Sequence, residues 1–108
     1  MFKLIMVTNW HMIRARMVAN GSVQGVGYRY KVARIGQQMK LRGIVRNLED
    51  GTVEIFCEAD RKEQLNEFIK KIKESDFLMI IDKLEVCYEG QPGYASHPKQ
   101  NEKFGIEY

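Results

Sequence analysis

The order of hydrophobic periodicities along the chain predicts an α+β sandwich, with two helices on one face of a mixed, mainly antiparallel sheet. Three observations carry this. Apolar and polar residues alternate with period two at residues 12–19, 52–59 and 80–89, the signature of half-buried strands. Apolar residues recur at helical spacing at 28–40 and 61–74. An Asp-Gly pair, Asp50-Gly51, marks a hairpin between residues 43–48 and 52–59. The order strand, helix, strand, strand, helix, strand, followed by a short last strand, is the split β-α-β (βαββαβ) arrangement of ferredoxin-like folds.

Each element has a local reason. In the first strand Ile13, Ala15 and Met17 point one way, and Arg14 and Arg16 the other. Three glycines between Gly21 and Gly27 end regular structure. The helix that follows offers Val32, Ala33, Ile35 and Met39 for burial, is weakened by Gly36, and is closed by Gly43. The return strand of the hairpin turns Val53, Ile55 and Cys57 to one face. Asp60 is the expected N-cap of the second helix, with Glu63 completing a capping box. Leu65, Phe68, Ile69 and Ile72 form that helix's apolar stripe. Leu84, Val86 and Tyr88 alternate in the fourth strand, the Pro- and Gly-containing residues 90–102 form a loop with His97 as a solvated residue, and Phe104, Ile106 and Tyr108 alternate in a short final strand.

Composition narrows the function. A chain of 108 residues suits one domain, expected at 12–108, with 1–11 as an N-terminal extension. Hydrophobic residues make up 44% and charged residues 29%, a globular balance. The net charge of +3, from 17 Lys and Arg against 14 Asp and Glu, is mildly basic and interleaved. No block of like charge reads as a nucleic-acid arm, and no apolar run is long enough to span a bilayer. A cytoplasmic monomer without nucleic-acid or membrane partners is expected. Cys57 and Cys87 form no Cys-x-x-Cys pair, and His11 and His97 lie far from both, so no metal site and no cofactor are expected. In the ferredoxin-like order the strands bearing the two cysteines flank the first strand, about 9.6 Å apart. That exceeds the roughly 7 Å limit for a disulfide.

The segment Gly21-Ser22-Val23-Gln24-Gly25-Val26-Gly27-Tyr28-Arg29 joins a strand to a helix. Successive backbone N–H groups in such a turn can form a concave anion site, and the helix adds its positive end. Glycine content alone indicates only a tight turn. Arg29 adds weight, because a cation in the first helical turn opposes the macrodipole unless an anion lies between them, and its planar fork can grip two phosphate oxygens. The Walker and dinucleotide patterns are absent. Asn47 alone is an ordinary turn residue. The parallel first and second strands, however, bring it to the same sheet edge as the glycine loop, where ligands of open sheets bind.

Together, Gly21-x-Val23-Gln24-Gly25-Val26-Gly27-Tyr28-Arg29 and Gly43-Ile44-Val45-Arg46-Asn47 with Gly51-x-Val53 resemble the two signatures of the acylphosphatase family. The resemblance runs over residues 12–108. It implies a hydrolase that cuts the carboxyl–phosphate bond of small acyl phosphates and releases inorganic phosphate without a metal. Arg29 would bind the phosphate, the amides of Gln24, Gly25, Val26, Gly27 and Tyr28 would complete the cradle, and Asn47 would orient the water. Ile44 stands where the family often has an aromatic residue. The chemistry suits so sparse a site, since the leaving carboxylate has a conjugate acid of pKa about 4 and needs no general acid.

Two rival readings remain. RNA-binding domains share this element order, but their third strand displays basic and aromatic residues, whereas here Glu54 and Glu58 flank Phe56. Acylphosphatase-like domains also open much longer proteins that process carbamoyl phosphate in hydrogenase assembly. A chain ending at Tyr108 favours a free-standing hydrolase.

Overall fold

The computed structural model describes residues 12–97 and 103–108. The expected N-terminal extension, 1–11, lies outside the described residues. Five strands and two helices follow in the order β1 (Ile13–Ser22), α1 (Tyr28–Gln38), β2 (Arg42–Asn47), β3 (Val53–Ala59), α2 (Lys62–Ile72), β4 (Ile80–Tyr88) and β5 (Gly105–Glu107). The sheet runs β4-β1-β3-β2-β5. Three of its ladders are antiparallel and the β2–β5 ladder is parallel. This is the ferredoxin-like split β-α-β sandwich with an added edge strand.

Both helices cover one face. Met17, Val45, Val53 and Ile55 from the strands meet Val32, Leu65, Phe68 and Ile72 from the helices, all fully buried. Phe104, just before β5, inserts its ring between α1 and β2. A methyl group on Gly36 or Gly43 would come within 2.3 Å and 2.4 Å of that ring. Gly43 therefore does not close α1, as its position suggested; it lies in β2 to admit Phe104. The helix ends at Lys40, whose φ of 60° is left-handed. Leu41 N–H donates to Gly36 O and Lys40 N–H to Gln37 O, at 2.9 and 3.1 Å, which is a Schellman closure made without glycine.

The second helix also starts differently. Arg61 is its N-cap, with no side-chain cap hydrogen bond, so the expected Asp60–Glu63 box does not form. Leu65 N–H instead reaches Arg61 O at 3.3 Å.

The face without helices explains why every residue of β3 is buried. Glu58 accepts from Arg14 and Arg42 at 2.5 and 2.7 Å, and Glu54 from Arg16 and Arg46 at 2.5 and 2.7 Å. Four arginines from β1 and β2 thus close over two carboxylates of β3. His97 is not the solvated loop residue expected from its surroundings. It is buried, edge-on to the Phe56 ring at 5.3 Å between centroids. Cys57 and Cys87 are free thiols on strands that flank β1, and burial pushes the Cys57 thiol up to about 12. No described helix is long and apolar enough to cross a membrane.

Candidate active site

Ala19, Val53 and Asn47 share one row across β1, β3 and β2. This row lies at the edge where β1 and β2 both end, and the glycine loop leaves from it. Gly21 belongs to β1 and not to the loop. It sits at a bulge with φ 134°, where a Cβ would lie 2.1 Å from Ile80 O. The loop itself is Val23–Gly27. Gly25 and Gly27 have φ of 76° and 85°, while Val26 between them does not have a positive φ. Alternating φ signs curl a backbone so that its N–H groups converge. Among the described residues, no carbonyl or side chain accepts from the N–H groups of Gln24 to Tyr28. The side chains of Val23 and Tyr28 are turned into the core and Val26 packs against it. The Tyr28 hydroxyl donates to Ile72 O at 2.9 Å, and burial raises its pKa. What the loop offers outward is therefore backbone.

Gln24 fixes the loop's position. Its Nε2 donates to both Leu48 O and Thr52 O at 2.8 Å. Those carbonyls belong to the β2–β3 turn, which closes with Leu48 N–H on Thr52 O at 2.9 Å and Gly51 at φ 93°. A three-residue turn with glycine in the left-handed position fits that pattern. The loop is in this way tied beside Asn47.

Arg29 lies in the first turn of α1, which contains no acidic residue. Its Nη1 donates to the backbone oxygen of Glu107 at 3.3 Å, and its guanidinium lies 4.8 Å from the centroid of the Tyr108 ring. Unlike the four sheet arginines, it has no carboxylate partner among the described residues. The Asn47 carboxamide oxygen is buried and without a hydrogen-bond partner among the described residues.

Arg29 and Asn47 line one open cavity of about 580 Å³, with Arg46, Leu48, Glu49, Glu107 and Tyr108. Gly25, Gly27, Tyr28 and Arg29 line a neighbouring one of about 140 Å³, again with Tyr108. Gln24 and Val26 line neither. Arg46 is committed, to Glu54 and at 3.2 Å to Glu107. The hydrogen bond with His97, at 3.0 Å, and then that from Arg46 hold the Glu107 carboxyl below its usual range. Arg29 is the arginine of the cavity left open to a ligand. Sequence reasoning missed Glu107, Tyr108 and Glu49 as lining residues. The alternation of Phe104, Ile106 and Tyr108 revealed a strand but not that it pairs beside β2.

Fold and loop together define a small ferredoxin-like α+β domain with an electropositive backbone concavity after its first strand. Residues 15–99 match the sequence profile of acylphosphatases. An acylphosphatase of Methanospirillum hungatei is 49% identical over 61 residues, covering 56% of this chain and 66% of that protein. One of Bacillus licheniformis is 46% identical over 72 residues, covering 66% and 79%. The crystal structure of the Bacillus subtilis acylphosphatase superposes with a TM-score of 0.73 at 30% identity, covering 89% of this chain and 99% of that one. The chain belongs to the acylphosphatase family.

Proposed function

We propose that this enzyme hydrolyses the carboxyl–phosphate bond of small acyl phosphates by direct attack of water on phosphorus. The observation that carries this reading is the meeting of Arg29, which has no carboxylate partner, with a run of unused loop N–H groups and the unpaired Asn47 carboxamide. The phosphate binds to the Arg29 fork and the amides of Gln24 to Tyr28. Asn47, which lines the open cavity, holds the water through its carboxamide. The water oxygen bonds to phosphorus as the bond to the acyl oxygen breaks. The electron pair leaves on the carboxylate, and the water proton passes to a phosphoryl oxygen. The transition state is loose, with charge spread over the phosphoryl oxygens, so fixed donors and alignment supply most of the acceleration. The reaction is proposed to need no metal.

Hydrolysis of benzoyl phosphate in the presence of a chelator tests this. Arg29→Ala should lose both turnover and inhibition by inorganic phosphate. Asn47→Ala should lose turnover by about 10²-fold or more and keep phosphate inhibition. Near-normal turnover in Asn47→Ala would remove that residue from the mechanism, and an inactive wild type would end the hydrolase reading.

A further inference from the structure

Three cavities adjoin one another at Tyr108. The cradle cavity shares Arg29 and Tyr108 with the Asn47 cavity on one flank. On the other flank it shares Tyr30, Ile106 and Tyr108 with a third cavity of about 330 Å³, between α1 and β5. The two outer cavities have only Tyr108 in common. A phosphate in the cradle thus adjoins both the Asn47 cavity and the α1–β5 groove, which have little lining in common. Displacement at phosphorus keeps the attacking and leaving oxygens roughly in line, so the leaving group departs away from Asn47.

We propose that the acyl group of the substrate lies in the groove between α1 and β5, against Tyr30, Tyr108 and Ile106, and that Arg34 at its far end selects acyl groups bearing a second negative charge. The inference rests on the hydrolase reading above. Tyr30 and Tyr108 are 70% and 92% exposed, with the Arg29 guanidinium 4.8 Å from the centroid of the Tyr108 ring, and they give the acyl body a flat apolar wall. Arg34 stands one helical turn beyond Tyr30 on the same side of α1. It has no carboxylate partner among the described residues. The sequence of α1 contains Arg29, Lys31 and Arg34 and no acidic residue, so its field favours a dianionic phosphate followed by another anion. Gln37, which also lines the groove, donates to Phe104 O at 2.7 Å. The electron pair of the broken bond leaves on the carboxylate formed in the groove, and the phosphate stays in the cradle.

Benzoyl phosphate and 4-carboxybenzoyl phosphate differ only in a distal carboxylate and serve as the pair of probes. At neutral pH, Arg34→Gln should lower the ratio of kcat/KM for the carboxylated acyl phosphate over the plain one by about fivefold, as expected of an exposed ion pair. Tyr30→Ala should raise KM for both acyl phosphates by about fivefold. The inhibition constant of inorganic phosphate, which fills only the cradle, should stay within twofold in Arg34→Gln, because Arg34 lines the groove and not the cradle. An unchanged ratio in Arg34→Gln or an unchanged KM in Tyr30→Ala would overturn the proposal. So would a matching change in the phosphate constant of Arg34→Gln, which would place that residue at the cradle. Wild type that hydrolyses neither acyl phosphate fails at the earlier step, the hydrolase reading, and takes this proposal with it.

Discussion

Single residues do their work here through what they leave unsatisfied or unfilled. Asn47 keeps a buried carboxamide oxygen unpaired at the edge of an open cavity, and Gln24 spends its own amide on two carbonyls to hold the loop nearby. Gly43 leaves a space that the Phe104 ring fills. An added Cβ there would meet Phe56 O at 2.3 Å as well as that ring. Backbone cannot yield as a flexible side chain can, so Gly43→Ala should destabilise by about 2–3 kcal/mol, read from urea unfolding. Unchanged stability would mean that Phe104 and β3 relax more freely than their burial implies. Arg29 and Asn47 were legible as neighbours in the sequence because the parallel first and second strands bring the glycine loop and Asn47 to one sheet edge. The reason for Gly43 was not, since it depends on a ring 61 positions further along the chain.

The two helices invert each other's charge logic. In α2, Glu63 sits in the first turn and Lys70 and Lys71 in the last, which complements the macrodipole. In α1 the cation Arg29 is at the positive end and no basic residue is in the last turn, an arrangement costing about 0.3–1 kcal/mol unless an anion intervenes. The helix that breaks the rule is the one bordering the candidate site. Its C-terminus stores a second cost, because Lys40 is exposed and left-handed at φ 60°. Lys40→Gly should stabilise the protein by about 0.5–1 kcal/mol, seen as a later urea midpoint with an unchanged slope. A lower midpoint would show that the aliphatic part of Lys40 contributes packing. Helix existence and faces were legible from periodicity. The ends were not: Gly43 and the Asp60–Glu63 pair are the residue types that cap helices. Tertiary demands placed the closure at Lys40 and the start after Arg61 instead.

At the scale of the whole molecule, the sheet is covered by apolar helices on one side and by paired charges on the other. Strand order and the helical layer follow from the order of periodicities. The charged layer does not, because Arg14, Arg16, Arg42 and Arg46 read as solvated residues until cross-strand pairing sets them over Glu54 and Glu58. Burial works against the charged form of Glu58, but hydrogen bonds from Arg42 and then Arg14, with their charges, outweigh it and hold the carboxyl below its ordinary 4.5. The unfolded chain therefore takes up this proton at higher pH than the folded one. The stabilisation is complete above pH 4.5 and drains away as pH falls through the lower folded value. Glu58→Gln should be less stable at pH 7 by about 1–2 kcal/mol, allowing for water around the two arginines. It should also lose less than wild type between about pH 5 and 3. Parallel losses in urea titrations would remove Glu58 from the acid response. The order of the strands has one further consequence. The outermost positions of the sheet go to β5, three residues long, and to β4, whose Asp82, Lys83 and Glu85 are all exposed. A foreign strand seeking to extend the sheet would find a stub at one border and alternating charge at the other, so the fold carries its own resistance to self-association.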